Sequence, residues 1–513
     1  MAFPTLVRRL QRTHLQHLSP LVLLQPHLTS ASLLSQSSHF SFSQAFHQTL
    51  SIPSRNSPLQ TLRFSTLQRH PSETLRNPFE FNPESIQIHD ELQDPGLLRF
   101  FKLLEQVAQL LSEAEAMASL DESGIEPSRD MVRSAIWALR KECRLAFLAF
   151  KWGDRWGCCD EEAWNLMIWV LGTHRKFNTA WCLIRDLHRS SMDTRRAMLV
   201  MIDRYACAND PCKAIWTFHI MEKFRLSPDQ EAFHMALRAL CKHGFIEEAE
   251  EFMFVNKKLF PLEIGGFNII LNGWCNIFVD VSEAKRVWRE MSKVCITPDA
   301  ISYTHMIACF SKVGNLFDSL RLYDEMKKMG WVPSVKVYNS LVYVLTRENC
   351  LKEALKFLEK MIELGLQPDS TTYNSIIGPL CKARKLEEAR IMLATMLEEN
   401  VSPTIETYHA LLESVEFEET LEIISRMKKA KLDPNNETFI MVLEKFFKLE
   451  QPENAVKIWE EMKDYELVPD STHYTIMVKG LANCGLFCKA KEFLAAMRSG
   501  GFFEDPKLNR LLK

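Results

Sequence analysis

A clock of 35 residues runs through most of this chain and leaves few architectures open to it. Prolines stand at 298, 333, 368 and 403, then at 434 after a step of 31, and at 469 after another 35. Methionines keep the same register at Met291, Met326, Met361, Met396, Met427, Met462 and Met497. So do aromatic residues at Phe267, Tyr303, Tyr338, Tyr373, Tyr408, Phe439 and Tyr474, and alanines at Ala249, Ala284, Ala354, Ala389, Ala455 and Ala490. Independent residue types sharing one register mark an array of repeated units and argue against a single-core domain.

Residues 335–369 give the physics of one unit. Tyr338, Leu341, Val342 and Leu345 fall at helical spacing and form an apolar stripe. Leu351, Ala354, Leu355, Leu358, Met361 and Ile362 form a second stripe after a break at Asn349-Cys350. Gly365 ends that helix and Pro368 blocks its continuation. Asp369, Ser370 and Thr371 offer capping oxygens to the next unit's first helix. Such a hairpin has two apolar faces and is too small to bury both, so it must stack on its neighbours. The expectation is an all-α, right-handed α-solenoid of about 10–11 helix-turn-helix units, with the first helices on the concave wall. A further stripe at Leu97, Phe100, Phe101, Leu104, Val107 and Leu111 is expected to cap the array.

Charge divides the chain differently. Residues 1–72 hold six arginines (Arg8, Arg9, Arg12, Arg55, Arg63, Arg69) and no lysine, aspartate or glutamate, leaving 56 basic against 65 acidic side chains in the remainder. Phe3, Leu6, Val7 and Leu10 share a helical face away from the early arginines, and a Ser-rich, acid-free stretch follows. That is the composition of an organellar transit peptide, with the early arginines favouring the mitochondrion, and its matrix, over the plastid. The alternative is a basic arm that binds nucleic acid directly. The expected organisation is a transit peptide over 1–64, a linker and capping helix over 65–125, the array over 126–505, and a tail over 506–513. Within the array a degenerate unit spans 126–160. Regular ones follow at 161–194, 195–229, 230–263, 264–299, 300–334, 335–369, 370–404, a shortened 405–435, 436–470 and 471–505.

Tyr338-Asn339-Ser340-Leu341-Val342, Tyr373-Asn374-Ser375-Ile376-Ile377, Leu380-Cys381-Lys382-Ala383 and the closing Pro-Asp pairs resemble the pentatricopeptide repeat family, and its P-type class in particular. The resemblance covers roughly three quarters of the chain by this register. It implies single-stranded organellar RNA as partner, bound along the concave wall at one base per unit. The residue after the first-helix aromatic would bond the base edge, supported by the last residue of the unit. So Asn268 with Asp299, and Asn339 with Asp369, look like uracil readers. Thr475 with Asp505 looks like a guanine reader, Asn374 with Thr404 leans to cytosine, and Thr304 with Ser334 leans to a purine. Leu199, His234, His409 and Ile440 depart from the pattern, as do Glu162, Glu231, Glu406 and Glu437 at the second residue, where Ile301 conforms. The bland alternative for Asn339 is a side chain bonded within its own helix.

Lys242, Lys312, Arg347, Lys382 and Lys448 recur near the ends of first helices and could follow a phosphate backbone. They could equally be cations seated at the helix dipole. Fourteen cysteines include no Cys-x-x-Cys, and the nearest candidate, Cys484 with Cys488, has no partner pair, so neither a metal nor another cofactor is expected. No nucleophile–base set, no deaminase signature and no apolar run of membrane-spanning length is present. A non-enzymatic RNA binder without a small-molecule substrate or membrane insertion is therefore expected. It would act in RNA processing, stabilisation, splicing or translation, with ribosomal or RNA-processing proteins as further partners. The reading from another class is a scaffold solenoid that binds proteins, for example on the mitochondrial ribosome.

Overall fold

The computed structural model describes residues 95–107, 113–465, 467–502 and 505–512. All of these belong to one compact unit, 77–513. The expected transit peptide over 1–64 and the linker as far as residue 94 lie outside the described residues. Among the described residues every regular element is a helix.

The helices come in pairs, such as Ala300–Lys312 with Leu316–Lys328 and Val335–Arg347 with Leu351–Glu363. Many pairs start at a capping oxygen. Asp299, Asp369, Asn435 and Asp470 sit at the N-cap and accept the backbone N–H of Ser302, Thr372, Thr438 and His473. Each of these third residues returns a side-chain bond to the cap's own N–H, closing a capping box. Second helices end where the backbone turns left-handed, at Gly330 (φ +81°) and Gly365 (φ +76°).

The clock is a burial pattern. The seven repeating methionines and the six repeating alanines are all fully buried. The aromatic column from Phe267 to Phe439 is buried too. Burying one such large side chain is worth roughly 1.5–3 kcal/mol, and the array collects this once per hairpin. From 161 to 412 each first helix packs on the first helices before and after it, while successive second helices are not paired in this way. Rows packed closely on one side and splayed on the other place the first helices on the shorter, inner arc. At the N-terminal end, Pro95–Val107 lays Leu97, Phe100 and Leu104 on the first hairpin, with Phe100 5.0 Å from the Trp152 ring.

Unit lengths vary, and in two units the departure from the period is absorbed in the first helix. Unit 264–299 has one residue more, taken up where Ile264–Asn272 runs into a π-turn over Gly273–Phe278. Unit 405–435 has four fewer, and its first helix, Ile405–Leu412, stops after 8 residues. The lost turn is replaced by an ammonium. Lys445, from the next unit, is buried and donates to Leu412 O and Val415 O at 2.8 Å and to Thr420 Oγ1 at 2.9 Å. A lysine from another helix thus satisfies carbonyls that the truncated helix leaves open.

Candidate nucleic-acid interface

The fifth residue of each unit lies one turn above the ninth and two above the thirteenth, so these positions form one stripe along the inner wall. In unit 264–299 the stripe is visibly continuous, with Asn276 Nδ2 donating to Asn272 Oδ1 at 2.8 Å. Asn276 Nδ2 also lies 3.1 Å from His305 Nδ1. Burial, with Lys336 and Lys312 nearby, pushes the His305 imidazole down to about 4 and leaves it a neutral acceptor.

Three of the expected pairs are joined. Asn268 Nδ2 donates to Asp299 at 3.1 Å, Asn339 Nδ2 to Asp369 at 3.5 Å, and Asn374 Nδ2 to Thr404 Oγ1 at 3.1 Å. Asn268 and Asn339 are 8% and 7% exposed, so each amide is nearly covered by its own framework. The other two pairs are not joined by a hydrogen bond. Thr304 Oγ1 turns back to Ala300 O and Thr475 Oγ1 to Ser471 O, each four residues earlier in its own helix. Ser334 is exposed, and Asp505 caps the short helix Pro506–Leu511.

Each joined amide has a third partner that sequence reasoning overlooked. Ser302 Oγ donates to Asn268 Oδ1 at 2.6 Å, Thr372 Oγ1 to Asn339 Oδ1 at 2.8 Å, and Thr407 Oγ1 to Asn374 Oδ1 at 2.6 Å. All three hydroxyls are the third residue of the following unit. His409, set aside as a departure, belongs to the same series, with Nε2 2.8 Å from Thr438 Oγ1. Burial lowers the His409 imidazole, despite Glu437, Glu406 and Glu413 nearby.

The N-terminal units are closed by their own arginines. Arg133, the eighth residue of 126–160 and the fifth of the helix Arg129–Ala138, pairs with Glu162 at 2.5 Å and lies 3.7 Å from Asp160. Arg195 holds Asp229, the last residue of 195–229, at 2.9 Å. Of the expected cation row, Lys312 Nζ donates to Asn276 Oδ1 at 2.8 Å and Arg347 reaches back to Lys312 O. Lys448 lies 3.4 Å from Glu444, and Lys242 and Lys382 stand exposed at helix ends. Cys241, Cys275 and Cys381 are buried packing residues. Among the described residues no group of His, Cys, Asp and Glu could hold a metal ion, and no helix is long and apolar enough to cross a membrane.

Fold and inner wall together define an α-helical repeat solenoid that strings hydrogen-bonding side chains along its first helices, at most one set per unit. The family model for the PPR repeat family matches residues 298–345, 333–382, 368–415 and 438–483, and a second PPR repeat model matches 232–254 and 472–502. Two mitochondrial pentatricopeptide repeat-containing proteins of Arabidopsis thaliana are similar. One is 52% identical over 318 residues, covering 61% of this chain and 57% of the relative. The other is 36% identical over 233 residues, covering 45% and 40%. The chain thus spans about half the length of these relatives. Among solved structures, the maize pentatricopeptide repeat protein PPR10 aligns with 81% of this chain and 65% of its own, at 19% identity and a TM-score of 0.34. Pentatricopeptide repeats thus run through residues 232–254, 298–415 and 438–502 of the chain.

Proposed function

We propose that this protein binds single-stranded RNA sequence-selectively in the mitochondrion and acts by occupying it, in RNA processing, stabilisation, splicing or translation. The observation that carries the reading is the succession of held amides at Asn268, Asn339 and Asn374. Each retains one N–H and one oxygen lone pair beyond its internal bonds, which is what a base edge needs. Its mechanism is sequestration: a filled groove blocks nucleases and competing RNA structure, with no chemistry asked of the protein. The mitochondrial relatives and the arginine-rich first 72 residues support the compartment.

The test is to equilibrate the full chain with a random-sequence single-stranded RNA pool and sequence what it retains. A short enriched motif that loses two positions on Asn268→Ala plus Asn339→Ala supports the reading. Retention without any motif by the folded protein overturns it. A protein-binding scaffold, for example on the mitochondrial ribosome, is favoured by one feature, an exposed apolar edge at Met329, Trp331, Val332 and Leu364. Co-sedimentation with ribosomal subunits that survives removal of RNA would support that second reading.

A further inference from the structure

We infer that the base-facing side chains are set by a hydroxyl of the following unit, and that His409 is a base-contacting residue by this rule. The inference rests on the RNA-binding reading and deepens it.

Along the array the rule separates the cases. Where the third residue of the next unit is Ser302, Thr372, Thr407 or Thr438, the fifth residue before it is bonded to that hydroxyl. Elsewhere that residue is apolar or glycine, as at Ala197, Ala232, Gly266 and Val337, and a polar fifth residue before it bonds within its own helix, as His234 does with Gln230 at 3.2 Å, or is left without a partner. Val337 follows Thr304, whose hydroxyl turns back on its own helix. Ala197 follows Asn165, which is fully buried and makes no hydrogen bond through either amide atom. His473 follows Ile440, and its Nε2 goes to Asn436 O instead. The hydroxyl therefore decides which fifth residues are positioned, giving read, skip, read, read, read from 264 to 435.

The relay also fixes what is presented. A carboxylate only accepts, so at Asn268 and Asn339 the amide nitrogen must face Asp299 and Asp369, and the oxygen must face the hydroxyl. Donor and acceptor left over for the base then come in one order. That order separates keto-edged bases, uracil and guanine, from amino-edged ones, cytosine and adenine. Asn374 lies between two hydroxyls, Thr404 and Thr407, each able to donate or accept, so its amide can turn over. At His409, Thr438 Oγ1 accepts the Asn435 N–H at 3.3 Å, as Ser302 and Thr372 do from Asp299 and Asp369. Its proton has two acceptors in reach, Nε2 at 2.8 Å and Asn435 Oδ1 at 3.0 Å, and given to the nearer Nε2 it places the ring proton on Nδ1 as the donor offered to a base.

Thr438→Val and Thr372→Val remove the hydroxyl while keeping the shape, and Val337 already fills this position in another unit. With the same RNA pool and the full chain, each variant should lose about tenfold in base discrimination at one position only, that of His409 or of Asn339. Thr438→Ser should restore it. Thermal melting separates a folding defect, which weakens every position alike. A motif in the wild type that survives both valine variants, or that fades uniformly with stability, overturns the inference while leaving RNA reading intact. A wild type without a motif removes the reading and this inference with it.

Discussion

Asn268 and Asn374 are the same side chain in the same place, yet their neighbours make them different instruments. Asp299 locks one amide; Thr404 leaves the other free to turn. Thr404→Asp is therefore expected to sharpen keto-against-amino discrimination at the Asn374 position by about tenfold, checked by competition between RNAs differing at that base. Lys445 supplies a second residue-level prediction. Burial pulls its ammonium down to about 8, whereas an unfolded lysine titrates near 10.4 by the usual reference. Between those values the unfolded chain carries the proton and the fold does not, so stability rises with pH there, and the burial cost is fully present below pH 8. Relative to Lys445→Met, the wild type should gain about 3 kcal/mol from pH 7 to pH 10, read as the difference between two denaturant titrations. A difference that stays flat would mean that the folded lysine holds its proton as tightly as the unfolded one does, with no shift from burial.

At the scale of elements, adjacent helices meet through single close contacts. Gly480 in Ser471–Asn483 has no room for a methyl group, since a Cβ there would fall 2.3 Å from the Phe447 ring. Gly480→Ala should cost about 1–3 kcal/mol by overpacking, measured as a fall in melting temperature of the full chain. The helical hairpins were legible in the sequence because the residues that set the period are the buried ones. The Met361 and Ala354 positions recur because the space between stacked hairpins limits side-chain size, and Ser319 and Thr420 fill the alanine column where alanine is missing. The positions of the two irregular units were legible, one from the step of 36 between Phe267 and Tyr303 and the other from the step of 31 between Pro403 and Pro434, but not how each is accommodated. One added residue gives a π-turn at Gly273–Phe278, and four missing ones shorten a helix and draw in Lys445. The relay hydroxyls escaped notice for a related reason. Thr372 and Thr438 stand three residues past an N-cap, and a helix-start signal gives no hint that a hydroxyl there bonds across to the previous unit.

Across the whole molecule, charge and recognition are unevenly spread. The N-terminal units spend Arg133 and Arg195 on carboxylates of the array, and the proposed reading positions concentrate between 264 and 435. With Lys312 and Arg347 bonded to the array, Lys242 and Lys382 are the cations best placed to meet phosphate. The salt dependence of RNA binding should then be shallow, with a log–log slope of roughly −1.5, about 0.7 for each contacted phosphate on a single strand. Lys382→Ala should flatten it by about that amount, and Lys312→Ala should leave it unchanged, both by filter binding across a salt series. A relay that straddles every boundary also bears on how such arrays can be rearranged. If Thr372 helps to spell the letter assigned to Asn339, then a hairpin cut out and moved elsewhere takes only part of its meaning with it, and alters the word left behind. The portable piece runs from one hairpin into the first turn of the next, so duplications or grafts that respect the 35-residue frame would still misspell at both joints.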